Sequence, residues 1–184
     1  VKKLRSVFRF VPFVDFVIVA GSLAFGSPHD YSDIDVVVGA REGRIFIVRF
    51  FASFYAWLLG FRREADVLKE RSTDKICFNH FVTPRGYELR PPRDFYWRIL
   101  YGNLIPVYGD KNSLLHFIEA NKWAPASAQT WEYFFEARKS WFRNLFEATL
   151  SGKMGDCFEF LARHFQRFKF ERSRKRIKED SLPR

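Results

Sequence analysis

Cysteine is scarce in this sequence, which has 2 among its 184 residues. A scaffold held together by several disulfides is therefore excluded, and a chain of this length buries about 70% of its unfolded surface without one. Cys77 and Cys157 both fall in apolar neighbourhoods, so we expect reduced core thiols, as in a cytoplasmic protein. Cys77 and His80 have the spacing of half a zinc site, but no second pair follows, and zinc is not favoured.

The sequence also lacks an apolar run of the about 20 residues that span a bilayer, so we expect no transmembrane segment. The longest apolar segment, 45–61, is shorter and is interrupted by Arg49. It lies between two predicted strands, where an α/β fold places a helix against its sheet. We therefore predict a buried helix. A helix that contacts a membrane surface or a second copy would instead expose Phe50, Phe54 and Trp57.

Acidic residues are outnumbered, because 31 lysines and arginines stand against 21 aspartates and glutamates, for a formal net charge of +10. This excess favours an anionic partner. Part of it is concentrated near the C-terminus, at Lys169, Arg172, Arg174, Lys175, Arg176 and Lys178. Such a run can bind nucleic acid or lie on an anionic membrane, and it can equally be a solvated helix end. The sequence leaves these alternatives open.

The most informative feature that is present is a glycine-serine turn after a short apolar strand. Residues 15–20 are mostly β-branched or aromatic and predict a buried strand that ends at Gly21. A short helix can begin at Ser22, whose hydroxyl and the free backbone N–H groups of the first turn suit a triphosphate. The spacing from Gly21 to Gly26 is that of a Walker A loop, but the lysine of that loop is missing, so a P-loop is excluded.

Two aspartates begin the next predicted strand, the first of them eleven residues after the serine. Side chains two residues apart in a strand point to the same face, so Asp33 and Asp35 project together while Ile34 packs behind them. Adjacent carboxylates repel each other, and a divalent cation relieves this repulsion. Hard oxygen ligands select Mg²⁺ or Mn²⁺, with substrate phosphates completing the coordination. The pair and the turn together predict a site for phosphoryl or nucleotidyl transfer.

Segment 21–26, with the aspartate pair and the valines that follow it, resembles the signature of the polymerase-beta-type nucleotidyltransferases, in particular the small prokaryotic members. The resemblance implies that Gly21 and Ser22 hold a nucleoside triphosphate and that Asp33 and Asp35 bind the metal ions. It also implies the activity, which is transfer of a nucleoside monophosphate from the triphosphate to a hydroxyl of an acceptor. The acceptor can be a protein, an RNA or a small molecule.

Active members of that family generally carry a third carboxylate on a later strand, which acts as the general base or assists it. The predicted third strand, 76–82, contains no acid. Asp66 and Glu88 have apolar neighbours and are the candidates to replace it, and Lys75 or Arg41 would neutralise the released pyrophosphate. Because the third acid is not identified, two alternatives stay open: a nucleotide-binding or protein-partner module without turnover, and a basic nucleic-acid binder.

The order of predicted elements favours an α+β (α/β) fold, with a short mixed sheet flanked by helices and a C-terminal helical hairpin or bundle. Strands and helices alternate up to residue 105, so we predict a nucleotidyltransferase-fold domain over 1–105 and a helical region with a basic tail over 106–184. Aromatic residues at helical spacing predict one helix over 131–150 with an aromatic core face. A further helix is predicted to start near Asp156 as its N-cap. These helices could pair with a second copy or with another helical protein.

Overall fold

The structure, a computed structural model, describes residues 2–24, 33–62, 75–124, 131–137 and 140–180. Its strands are β1 (Val14–Ala20), β2 (Ile34–Ala40), β3 (Ile76–Val82), β4 (Ile105–Gly109) and β5 (Phe135–Glu136). Its α-helices are α1 (Lys2–Phe8), α2 (Ile45–Leu58), α3 (Phe95–Gly102), α4 (Lys111–Ala120), α5 (Trp141–Thr149) and α6 (Lys153–Asp180).

The described strands form one mixed sheet in the order β3-β2-β1-β4-β5. The central strand β1 is antiparallel to both of its neighbours, β2 and β4. The outer pairs, β2 with β3 and β4 with β5, are parallel. A parallel pair needs a crossover connection, and α2 supplies it between β2 and β3. The predicted α+β fold with a short mixed sheet and flanking helices is confirmed.

The sheet continues past residue 105. β4 begins at Ile105 and pairs with β1, and β5 in turn pairs with β4. Two strands on the C-terminal side of the predicted division therefore belong to the same sheet as the strands before it. The division into domains over 1–105 and 106–184 stays a prediction.

Alternating side chains of the central strands build a core on each face of the sheet. On one face Val36 and Val38 of β2 pack with buried residues of α1 and α2. On the other face Val37 packs with residues of α3 and α4, including Tyr101 and Phe117. The two carboxylates predicted at the start of β2 lie at the end of this second face, because they share its alternation with Val37.

Helix α2 is only half buried, so the prediction of a buried helix is wrong for one of its faces. Small and branched side chains, among them Ile47 and Ala52, are completely buried against the sheet. The aromatic residues Phe50, Phe54 and Trp57 are 37%, 43% and 60% exposed. In the described part of the chain, none of the helices combines the length and the apolar character that crossing a membrane requires.

The C-terminal helices are α5 and α6, of which α6 packs on α2, and the first of the two is shorter than predicted. Residues 131–137 contain a 3-10 turn and the short strand β5, which pairs with β4. Helix α5 starts only after Ser140, whose hydroxyl accepts the N–H of Arg143 at 3.2 Å as an N-cap. Helix α6 starts at Lys153, so Asp156 lies in its first turn, where its carboxylate pairs with Arg44 at 2.7 Å.

The two buried side chains of α5 are charged, so the predicted aromatic core face is wrong. Arg143, Glu147 and Glu159 are buried, whereas Trp141 and Phe165 are exposed. Glu159 is buried because its carboxylate accepts hydrogen bonds from two backbone N–H groups in the first turn of α2. These are the N–H groups of Phe46 and Ile47, at 2.9 and 2.8 Å. That turn contains no acidic residue, and Arg44 before it gives no side-chain cap. Glu159 therefore caps α2 from another helix and complements its dipole.

We expect Glu159→Ala to lower the free energy of unfolding by about 2 kcal/mol, because two buried N–H groups lose their acceptor. Urea denaturation followed by circular dichroism measures this loss. Glu171→Ala removes an exposed carboxylate from the same helix and serves as the control. Equal unfolding midpoints for the two variants would show that the capping contact does not stabilise the fold.

Candidate functional site

The end of β1 and the start of β2 meet at one edge of the sheet. Ala20, the last residue of β1, lies opposite Asp35 in the antiparallel register. The chain then turns through a 3-10 turn over Gly21–Leu23, where the predicted short helix begins, and the N–H of Ala24 donates to the carbonyl of Gly21 at 3.0 Å. The predicted glycine-serine turn thus lies directly beside the predicted carboxylates.

Gly21 is required at this position for two reasons. Its φ of +73° lies in the left-handed region that residues with a Cβ rarely adopt. A Cβ built on Gly21 would also lie 2.5 Å from Oδ2 of Asp35. The glycine backbone therefore lies directly against the carboxylate.

Three candidate metal ligands come together here, from Asp33, Asp35 and Cys77. Each offers one ligand atom, and these atoms all lie within 4.8 Å of one another. All three residues are half-buried, and Ile34 packs behind the aspartates in the opposite core, as predicted. Cys77 arrives through the parallel register of β3 with β2, in which it lies opposite Asp35. Its thiol occupies the neighbouring-strand position at which a third carboxylate was sought.

The donor atoms fit a divalent cation. Two carboxylates supply hard oxygen ligands, which Mg²⁺ and Mn²⁺ accept, and nucleotide phosphates can complete the coordination. A thiolate is a softer donor, so its addition favours Mn²⁺ or another transition metal over Mg²⁺. Among the described residues, His80 is not part of this group. Burial lowers the pKa of His80.

One of the two predicted substitutes for the third acid, Glu88, is not in this group. Glu88 lies beyond β3, where its carboxylate pairs with Arg93 at 2.6 Å, next to the side chains of Ser113 and His116 on α4. Asp66 lies outside the described residues. Within the described ranges, Asp33 and Asp35 are the only carboxylates in the cluster.

The predicted basic residues are placed in different ways. Lys75 immediately precedes β3, and its carbonyl accepts the N–H of Ile34 at 2.8 Å, but its ammonium donates to the carbonyl of Gly60 after α2. Arg41 follows the other end of β2, about 20 Å from Asp35 along the strand. Its guanidinium contacts Glu147 there, so the structure does not bring it to the site.

The backbone of Ser22, the other residue predicted to hold the triphosphate, lies in the 3-10 turn that follows β1.

Neither cysteine is a fully buried core residue, so that expectation is wrong. Cys77 is half-buried beside the aspartates, and Cys157 is exposed on α6. Neither is in a disulfide in the described part of the chain. A search of the sequence for acids alone misses Cys77. Alignment of β3 with β2 by the register of the two strands would have found it.

We expect Gly21→Ala to reduce activity at this site by about 100-fold, because displacement of a reacting group by about 1 Å has an effect of that size. The left-handed backbone adds a stability loss of about 1–2 kcal/mol. Nucleotide binding and transfer, measured beside a thermal melt, separate the two effects. Gly43→Ala is the matched control, since Gly43 has a φ of +72° but open space around its Cβ position. Equal activities of the two variants would contradict the steric argument.

Comparison of the chain with protein-family models, with curated proteins and with solved structures found no match.

Proposed function

We propose that this protein is a metal-dependent nucleotidyltransferase that moves a nucleoside monophosphate from a nucleoside triphosphate to a hydroxyl of an acceptor. The observation that carries the proposal is the contact between the Gly21 turn and the Asp33, Asp35 and Cys77 cluster. The resemblance of segment 21–26 and the aspartate pair to the polymerase-beta-type nucleotidyltransferases supports it from the sequence. The reduced cysteines and the basic composition accord with a cytoplasmic protein that acts on an anionic substrate.

In this proposal each element of the site has one task. The Gly21–Leu23 turn offers backbone N–H groups to the triphosphate, and its glycine leaves room for the phosphates to approach. Asp33 and Asp35 hold the divalent cations, with the Cys77 sulfur as a third ligand. The bound metal would supply Lewis-acid stabilisation of the acceptor oxygen and of the pyrophosphate leaving group. In the overall exchange, the acceptor oxygen bonds to the α-phosphorus, the bond to pyrophosphate breaks and the acceptor loses its proton.

Labelled nucleotide incorporation tests this function. Each of the four nucleoside triphosphates is given with Mg²⁺, Mn²⁺ or a chelator, and with RNA, protein or small-molecule acceptors. We expect pyrophosphate release and acceptor labelling only when a divalent cation is present. Transfer that continues in the chelator would contradict a metal-dependent mechanism.

A second candidate is a nucleotide-binding module without turnover. It is favoured by the cysteine at the third position, because a cluster with two carboxylates keeps metal ligands but lacks the usual third acid. Calorimetry that detects metal-dependent binding of a triphosphate, beside no pyrophosphate release in the full acceptor screen, would favour this module over the enzyme.

We expect Cys77→Ser to shift the metal preference of the site toward Mg²⁺, because a hydroxyl is a harder donor than a thiolate. The measurement is the ratio of nucleotide affinities in Mn²⁺ and in Mg²⁺. Cys157→Ser removes the other thiol of the chain, which is exposed on α6, and should leave the ratio unchanged. An unchanged ratio in Cys77→Ser would exclude the sulfur from the ligand set without excluding the aspartates.

A further inference from the structure

Helices α2 and α6 line a groove of about 520 Å³. Its walls are aromatic, with Phe50, Phe54 and Trp57 from α2 and Phe165 and Phe170 from α6. We call it the α2–α6 groove. It is separate from the metal cluster, whose residues are not among those that line it.

Among the residues that the structure describes, the charged ones that line the α2–α6 groove are basic: Arg49, Arg62 and Lys169. The guanidinium of Arg49 lies between the rings of Phe81 and Phe170, at 5.3 and 4.5 Å. Burial and the neighbouring charge of Arg62 both lower the pKa of Arg49. In the described part of the chain, neither guanidinium has a carboxylate within ion-pair distance. Two repelling cations among aromatic rings form a binding place for an anion.

The apolar surface extends from the groove along the outer side of α6. Leu161, Phe165 and Phe168 follow one another at helical spacing and are 58%, 62% and 64% exposed. Helix α2 contains no acidic residue, and neither does the part of α6 over 160–170. The whole surface is therefore apolar and cationic, and it is followed by the basic run that ends at Lys178.

We propose that the α2–α6 groove and the adjoining outer face of α6 dock this protein on an anionic phospholipid bilayer. Exposed phenylalanine and tryptophan side chains insert at the boundary between head groups and acyl chains, where such residues are favoured. Arg49 and Arg62 bind lipid phosphates, and Lys169 with the basic run after it adds attraction to the charged surface. A bilayer supplies acyl chains for the aromatic side chains of this surface and phosphates for its basic side chains.

A second copy of the chain is a poorer occupant. In a symmetric dimer the same patch meets itself, so the basic residues of the groove would face each other in a dehydrated contact. With no acid on α2 or on the 160–170 part of α6 to pair with them, that contact buries uncompensated positive charge.

Flotation of the full chain with vesicles tests the proposal. One vesicle preparation is phosphatidylcholine alone, and the other also contains phosphatidylglycerol. We expect binding to the second only, and weaker binding at high salt. Arg62→Gln with Lys169→Gln should weaken binding about 25-fold, because each basic residue near an anionic surface contributes about fivefold. Phe54→Ser with Trp57→Ser should weaken it at least about tenfold.

The controls change residues of the same types elsewhere. Phe95→Ser alters a highly exposed aromatic residue on α3, which covers the opposite face of the sheet, and Arg85→Gln alters an exposed arginine. Both should bind vesicles as the wild type does, and circular dichroism verifies that each variant is folded. The fluorescence of Trp57, taken as the difference between the wild type and Trp57→Phe, should shift to the blue when anionic vesicles are added.

Three results would overturn the proposal. The first is no binding to anionic vesicles. The second is an equal loss of binding in the groove variants and in the controls. The third is a concentration-dependent dimer that Phe54→Ser with Trp57→Ser abolishes, because the groove would then be an interface between copies.

Discussion

Substitution of Asp35 by asparagine is expected to reduce nucleotide transfer at least about 1000-fold, which corresponds to about 4 kcal/mol of transition-state stabilisation. The carboxylate of Asp35 lies against Gly21 and within 4.8 Å of the ligand atoms of Asp33 and Cys77, so the asparagine removes one charged ligand at the centre of the cluster. Asparagine has nearly the same shape, so the turn and the strand register should be preserved.

The assay is incorporation of labelled nucleotide, with Asp33→Asn measured in parallel. Glu42→Gln is the matched control, because it makes the same change of acid to amide just beyond the opposite end of β2, where Glu42 lies beside Arg85. Transfer by Asp35→Asn at the rate of the control would remove the carboxylates from the mechanism.

The largest expected effect on stability is that of Arg143→Met, a loss of about 3–5 kcal/mol in the free energy of unfolding. The Arg143 side chain is almost fully buried, where Nε donates to Glu147 at 2.8 Å and Nη2 donates to the carbonyl of Val14 at 2.7 Å. Glu147 also accepts the N–H of Phe13 at 3.0 Å. Loss of the guanidinium leaves the buried carboxylate of Glu147, which lies beside the start of β1, without its strongest partner.

Chemical denaturation measures this loss, and Arg85→Met, at an exposed arginine, should change stability by less than about 1 kcal/mol. The double variant Arg143→Met with Glu147→Leu should recover part of the loss, because no buried charge is left behind. A single variant as stable as the Arg85 control would show that the buried pair does not hold α5 against β1.

The same pair predicts how stability depends on pH. Burial by itself raises the pKa of Glu147, but its hydrogen bonds from Arg143 and Phe13 outweigh this effect and lower the pKa to about 2. A lowered pKa gives stability that is complete above the unfolded pKa of 4.5 and is lost as the pH falls toward 2. Arg143→Met should therefore lose less stability than the wild type between pH 5 and about pH 2.

The strands around the site could be predicted from the sequence because apolar runs there are bounded by glycine or polar residues. β3 has the predicted bounds, Ile76–Val82, and β1 and β2 differ from prediction only at their ends. The turn was predicted from the glycine that ends an apolar run. The shared face of Asp33 and Asp35 follows from the two-residue period of a strand, which needs no tertiary information.

The third ligand needed more than local information. Cys77 reaches the aspartates only through the register of two parallel strands, whose pairing depends on how α2 crosses over the sheet. Local sequence patterns carry no signal for that register, and a cysteine between apolar residues looks like a core residue. The interpretation of Cys77 therefore changed from a core thiol to a ligand.

The prediction of an aromatic core face on the C-terminal helices was wrong for a related reason. Hydrophobic periodicity ranks aromatic residues above charged ones for burial. Here the backbone N–H groups at the start of α2 and at Phe13 need acceptors, and Glu159 and Glu147 supply them. Which backbone groups lack partners is known only once the helices have been placed, so the exposed aromatic face on α6 could not be predicted.

A crystal structure of the protein with Mn²⁺ and a nonhydrolysable nucleoside triphosphate, with the metal located by anomalous scattering, tests the metal–nucleotide site most directly. The account predicts a manganese peak at bonding distance from carboxylate oxygens of Asp33 and Asp35, with the triphosphate against the Gly21–Leu23 turn. It predicts the Cys77 sulfur on the same ion. A manganese ion and nucleotide bound elsewhere, with the aspartates contacting neither, would contradict it.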